Sequence, residues 1–132
     1  GAVSATSDPP EKHYPAYTTY NDVWCSVDGA SWTRVCEHAP WQERMWFVST
    51  VYADRLWIIG GFSNRQSLNF AEVWYTTDGV TWAKPEGPIP WTPRHEPTPY
   101  VFDGSLWVVA GNSWPLMNDV WQRTVRPAEG NQ

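Results

Sequence analysis

The run Val48-Ser49-Thr50-Val51-Tyr52, Ala53-Asp54-Arg55, Leu56-Trp57-Ile58-Ile59, Gly60-Gly61 decides the fold. Two short segments rich in β-branched and aromatic residues flank a polar break, the pattern of a β-hairpin, and the double glycine halts the second. Downstream, a ten-residue polar loop over 62–71 leads to Glu72-Val73-Trp74-Tyr75-Thr76, then Thr77-Asp78-Gly79-Val80, then Thr81-Trp82-Ala83-Lys84. Asp-Gly between aromatic-rich runs is a strong hairpin signal, because glycine tolerates the positive φ that the turn needs. From Arg44 to Trp82 the sequence therefore predicts four strands in an antiparallel meander.

Working outward, a shift of 50 positions lays Asp22-Val23-Trp24 on Glu72-Val73-Trp74, Asp28-Gly29 on Asp78-Gly79, Trp32 on Trp82 and Pro40-Trp41 on Pro90-Trp91. The same shift lays Arg44 on Arg94, Leu56-Trp57 on Leu106-Trp107 and Gly61 on Gly111, after which it drops to 47 so that Trp74 matches Trp121. A period near 50 with four strands per unit is the signature of a β-propeller blade. The expected fold is all-β: a partial propeller of four-stranded antiparallel blades, one complete and two incomplete.

These residues carry a family resemblance. Gly60-Gly61 after an apolar strand, Asn-Asp-Val-Trp at 21–24 and 118–121, the spaced Trp82 and the arginine opening each unit resemble kelch repeats, most closely the bacterial kelch-like proteins grouped with galactose oxidase. Ser26-Val27-Asp28-Gly29-Ala30-Ser31-Trp32 and Thr76-Thr77-Asp78-Gly79-Val80-Thr81-Trp82 also resemble a shortened Asp-box, a peripheral structural turn in sialidase-type propellers. The resemblance spans roughly residues 20 to 124; it speaks to architecture, since propellers host many activities.

Three regions follow: a Pro-rich arm or loop over 1–20, a kelch-like segment over 21–124, and a polar tail over 125–132. The chain opens at Gly1 without a methionine and so reads as processed or cut from something longer. If Gly1 stands where Gly61 does, residues 2–20 are an enlarged form of the 62–71 loop. The first blade would then supply only its third and fourth strands, Asp22–Ser26 and Ser31–Val35. The last would supply three, near Thr98–Phe102, Ser105–Ala110 and Asn118–Thr124. These nine strands fall short of the roughly 24 to 28 in a ring of six or seven blades. Open terminal blades leave unpaired edges and apolar faces that must be covered. The expected partners are other copies of the chain or a separate polypeptide carrying the remaining blades. The separate polypeptide is favoured, because in a self-assembled ring Asp22–Ser26 and Asp119–Thr124 would compete for one third-strand position.

Composition excludes other classes. Net charge is -5 with no Lys/Arg cluster, which removes the electrostatic footprint of a nucleic-acid binder. No apolar run approaches a membrane-spanning length, and no signal peptide is visible. Nine of the eleven tryptophans recur at repeat-equivalent places, so they read as packing; Trp46 and Trp114 do not. With Cys25 opposite about Trp32, Cys36 lies four strand positions away, roughly 13 Å, so both thiols are expected free. His13, His38 and His95 share no ligand spacing, and neither a metal site nor a cofactor is expected. None of the copper-site residues of galactose oxidase is carried over, because the Tyr and Cys here lack a matching context.

Candidate site residues are those where a copy departs from the repeat without a packing reason. Kelch units usually follow their arginine with small residues and a histidine. Here Arg44 precedes Met45-Trp46-Phe47, and Arg94 precedes His95-Glu96-Pro97. The resemblance implies that this segment lines the channel mouth, making Arg44, Trp46, Arg94, His95 and Glu96 ligand-binding candidates together with Trp114. An aromatic there suits a sugar face or a peptide anchor, with the charged groups as polar partners or as structural ion pairs. The reading is a non-catalytic binding or structural module in an extracytoplasmic protein, periplasmic or secreted. The alternatives are the C-terminal part of a propeller enzyme, galactose-oxidase-like or sialic-acid-processing, and an oligomeric carbohydrate-binding lectin.

Overall fold

A computed structural model describes residues 17–125; the expected enlarged loop over 2–20 lies mostly outside them, as does most of the polar tail. Ten strands and no helix form among the described residues. In chain order they are β1 Val23–Cys25, β2 Thr33–Cys36, β3 Val48–Tyr52, β4 Arg55–Ile59, β5 Phe62–Ser63, β6 Leu68–Asn69, β7 Val73–Thr76, β8 Thr98–Phe102, β9 Ser105–Gly111 and β10 Met117–Arg123. They make four antiparallel sheets, ordered β1-β2, β3-β4-β7, β5-β6 and β8-β9-β10.

The tight turns arise where the sequence supplies them. Tyr52 pairs with Arg55 across Ala53-Asp54, and Phe102 pairs with Ser105 across Asp103-Gly104. All four turn residues have positive φ, as a two-residue hairpin matched to strand twist requires. In the Asp-Gly turns, Asp28 Oδ1 accepts from the backbone N–H groups of Ala30 and Ser31, and Asp78 Oδ1 from those of Val80 and Thr81. Ser26 and Thr76 complete these turns by accepting from Gly29 and Gly79.

Two details differ from the four-strand meander expected of the sequence. The fourth strand of the central unit shrinks to a single bridge, where Tyr75 and Ala83 exchange backbone hydrogen bonds of 2.9 Å. Two residues further along, the ladder would need an N–H from Pro85, which has none. At the equivalent place the first unit has Val35, and β2 runs on to Cys36. Conversely, the polar loop is not structureless: Phe62 pairs with Asn69 and Ser63 with Leu68.

Apolar side chains from β3, β4 and β7 meet those of β9 in one core, where Tyr52, Trp57, Ile59 and Val73 are buried with Leu106 and Val108. A second core joins Ala39, Trp41 and Ile58 to Val23, Cys36, Trp74 and Trp82. The packing role read for the repeat tryptophans therefore holds at Trp41 and Trp57, but Trp24 and Trp32 in the first unit are 48% and 58% exposed. The cysteines are unlinked; Cys25 faces Thr33, one residue from the expected Trp32, and Cys36 faces Val23.

Successive units touch backbone to backbone. Gly61 N–H donates to Arg94 O at 3.1 Å, and Arg94 N–H donates to Phe70 O at 3.1 Å. A Cβ on Gly60 would stand 2.5 Å from Arg94 O, at a φ of +65°, whereas one on Gly104 would meet nothing within 4 Å at nearly the same φ of +67°. Both alanine substitutions carry the left-handed backbone cost, and Gly60→Ala adds the collision. Chemical denaturation should show Gly60→Ala less stable than Gly104→Ala by about 2 kcal/mol; equal losses would mean that the units do not abut there.

Candidate functional site

Two units open on an arginine that points inward. The Arg44 side chain is 1% exposed: Nε donates to Gln42 O at 3.0 Å, Nη1 to Gly60 O at 3.1 Å and Nη2 to Glu72 Oε2 at 2.7 Å. Arg94 is fully buried and repeats the arrangement through Thr92 O, Ala110 O and both carboxylate oxygens of Asp119. The same carboxylates accept from the indole N–H two residues on, Trp74 to Glu72 and Trp121 to Asp119. Burial pushes the Arg44 pKa down, against the hydrogen bond and charge of Glu72, which support the cation.

Structural ion pairing thus accounts for Arg44 and Arg94. Their donors are directed into the chain's own backbone and carboxylates. Both side chains are almost wholly buried, although Arg44 borders a shallow surface pocket with Asp22, Met45 and Phe47.

The other candidates fall into two places. Trp46 and Glu96 occupy equivalent positions with φ of 55° and 51°, and Glu96 N–H donates to Trp46 O at 2.9 Å. The imidazole of His95 lies 5.1 Å from the Trp46 ring and 5.5 Å from Phe62, and Trp46 stacks on Phe62 at 5.6 Å. His95 Nδ1 contacts Asn69 Oδ1 at 2.7 Å; with that oxygen accepting, Nδ1 carries the hydrogen and Nε2 faces Glu96 at 3.9 Å. Asn112 Nδ2 donates to Glu96 Oε2 at 2.7 Å. Burial lowers the His95 pKa, opposed by the Glu96 charge. Trp114, by contrast, is 92% exposed and joins no aromatic pair among the described residues.

The site is therefore an aromatic and amide cluster at the junction of two units: Trp46, Phe62 and His95 with Asn69, Glu96 and Asn112. It can stack against a flat apolar face and offer amide and carboxylate groups at the rim. Phe62, Asn69 and Asn112 were not foreseen from sequence, because Phe62 and Asn112 are brought in by the bridges Met45 to Phe62 and His95 to Asn112. The carboxylates Glu72 and Asp119 did leave a signal: with Asp22 they stand two residues before each third-strand tryptophan. Among the described residues no group of three His, Cys, Asp or Glu side chains could hold a metal ion, and no helix is long and apolar enough to cross a membrane.

No family model and no curated protein matches the chain. Among solved structures, YjhT is similar at a TM-score of 0.50 and 22% identity, over 61% of this chain. The match spans 24% of YjhT, so the chain corresponds to about a quarter of that protein's length. Fold and site together define an all-β chain of small antiparallel meander sheets with a repeated, buried arginine–carboxylate link.

Burial alone would raise the Glu72 carboxyl, but hydrogen bonds from Lys84 and Arg44 outweigh it and hold the group at about 2. The bidentate hydrogen bond from Arg94 is the main cause that brings Asp119 to about 2, and backbone N–H groups do the same for Asp28 and Asp78. All four lie below their ordinary values, so the stability they contribute is complete above pH 5 and is lost as pH falls toward 2. Melting temperatures should be flat from pH 7 to about 5 and then drop steeply. In Arg94→Met, which frees Asp119, the acid drop should be shallower from a lower starting point; parallel curves would contradict the link.

Proposed function

We propose that the chain is a segment of a kelch-type β-propeller and works as a non-catalytic binding or structural module, its ring completed by further blades from outside Gly1–Gln132. One observation carries the reading. The arginine, second-strand-end carbonyl, carboxylate and indole recur in register in two units, while a third copy holds only its carboxylate and indole: Trp24 Nε1 donates to Asp22 Oδ2 at 2.7 Å, and among the described residues no arginine is hydrogen-bonded to Asp22, the nearby Arg34 lying instead over the Trp24 ring at 5.8 Å. Such a half-set fits a unit whose opening half, with its arginine, lies outside the described residues.

Exposure supports the same reading. Tyr52 is 6% exposed beneath the following unit, but Phe102, at the same repeat position in the last sheet, is 69% exposed. Tyr100, two residues away on the same face, is also open, an apolar sheet face of the kind that proteins cover. Ala110 stands where the preceding unit has Gly60, so a unit seated there keeps its backbone farther from the turn than Arg94 O stands from Gly60.

The completing blades are other copies of the chain or, as favoured here, a separate polypeptide, since β1 and β10 would claim one third-strand position in a self-assembled ring. We also propose an extracytoplasmic location, on the resemblance of the Asp-box-like turns and the tryptophan-rich composition. Native mass spectrometry of the particle, paired with denaturing mass, is the test. The expected result is one 15.1 kDa chain bound to a larger, different polypeptide; a stable lone chain would overturn the reading, and a homo-oligomer would leave the ring but reject the separate partner.

The Trp46 cluster is the proposed ligand-binding surface of this module, with a glycan as the small-ligand class that an exposed indole flanked by amide and carboxylate groups suits. Trp46 is 43% exposed, so Trp46→Ala should leave the melting temperature within about 2 °C of the parent while removing any glycan-array signal. A lowered melting temperature or a broken particle would instead assign Trp46 to packing.

A further inference from the structure

Two strained backbone positions meet where the units abut, and they carry different chemistry. Trp46 and Glu96 are repeat equivalents, joined by the Glu96 N–H to Trp46 O bond, and both have the left-handed φ that such side chains seldom adopt. Glycine would take that conformation at less cost, so the indole and the carboxylate are held there against a local penalty. Strain of this kind gathers at ligand-binding sites.

Beside them stand two acceptors with no donor between them. With His95 Nδ1 donating to Asn69 Oδ1, Nε2 is a bare acceptor, and it faces Glu96 Oε2 at 3.9 Å. Burial outweighs the pull of Glu96 and favours the uncharged imidazole at neutral pH, so Nε2 does not fill the gap with a proton of its own. The Glu96 side chain is 51% exposed, and among the described residues only Asn112 Nδ2 donates to it. Nearby positive charge is committed elsewhere. Arg44 and Arg94 direct their donors to backbone carbonyls and to Glu72 and Asp119, while Arg65, at the tip of the β5-β6 hairpin, lines a pocket with Gln42 and Glu43. The junction therefore presents acceptors and negative charge beside stacked rings, and among the described residues it offers an acidic ligand no cation.

We propose that this junction binds a protonated amino sugar, whose apolar face lies on the Trp46 ring and whose primary ammonium sits between His95 Nε2 and Glu96 Oε2. The proposal deepens the glycan reading of the Trp46 cluster and rests on it. A primary ammonium carries three N–H donors, so one group serves both acceptors and neutralises the carboxylate. Acceptors 3.9 Å apart both lie within about 2.8 Å of a nitrogen placed between them, the length of a charge-assisted hydrogen bond. The indole adds to this, because the face of a tryptophan ring attracts cations. A hydroxyl of a neutral sugar brings one donor and no charge, and an acidic sugar is repelled by Glu96.

Calorimetric titration of the full chain in its native particle compares the glucosamine trisaccharide, its N-acetylated form, which has lost the ammonium, and the galacturonic acid trisaccharide. The expected result is saturable binding of the amino sugar, at least tenfold weaker binding of the acetylated one and none of the acid. Glu96→Gln is nearly isosteric at a half-exposed site, so it should keep the melting temperature while weakening the amino sugar at least tenfold, to the level of its acetylated form. Trp46→Ala should remove both. Added salt should weaken the amino sugar more than the acetylated one. Equal binding of the two, or an amino-sugar affinity that Glu96→Gln leaves unchanged, would overturn the ammonium seat while the glycan reading stood. Benzylammonium binding that needs Trp46 and Glu96, with no trisaccharide bound, would overturn the glycan reading and the amino sugar with it, the seat alone surviving. No probe bound up to about 1 mM would overturn both.

Discussion

A guanidinium buried in a β-protein is tolerable only if nearly every donor finds an acceptor, and that constraint shapes this chain. Arg44 and Arg94 each bond a carbonyl two residues back, a carbonyl at the end of the unit's second strand, and a carboxylate two residues before the third-strand tryptophan. Three segments far apart in sequence are thereby fixed at one point. Removing a partner from such a set leaves a buried charge uncompensated, at a cost of about 3–5 kcal/mol. The neighbouring backbone is fitted to the same point: a Cβ on Gly111 would stand 2.9 Å from Arg94 Cδ, and one on Gly61 3.0 Å from Arg44 Cδ.

From that anchor follows the way the units stack. Arg94 offers its backbone O and N–H to Gly61 and Phe70 of the unit before it, so the residue that organises one unit also docks it on the last. The adjoining residue, His95, is carried against Trp46 and Phe62 by the same docking. The candidate ligand cluster is thus a by-product of stacking two units. It exists only where the opening of one unit meets the hairpin of another.

The repeat also explains what is open. The central sheet buries one face against its successor, and the aromatic triad of Trp41, Trp74 and Trp82 closes that unit's outer edge. At one end of the described residues, Asp22 and Trp24 form a carboxylate–indole pair without its arginine; at the other, Trp91 and Trp121 border a cavity.

Strands, turns and the repeat were legible in the sequence because they depend on local chemistry. Runs of β-branched and aromatic residues around a polar break marked β3 and β4, the repeat carried them to β8 and β9, Asp-Gly marked the turns, and the shifts of 50 and 47 residues marked the recurring Asp22, Glu72 and Asp119. Missed were features set by distant partners. Pro85 cuts the fourth strand to one bridge, because its absent N–H matters only once Val73 stands opposite; Phe62 pairs with Asn69 only when the loop folds back. Sequence alone named Arg44, Arg94, His95 and Trp46 as unusual, but tertiary structure decided that the arginines turn inward while the aromatics gather at the junction. The physical reason is that a long charged side chain can satisfy its donors in water or in a buried carbonyl and carboxylate set, and only the folded geometry shows that such a set is within reach.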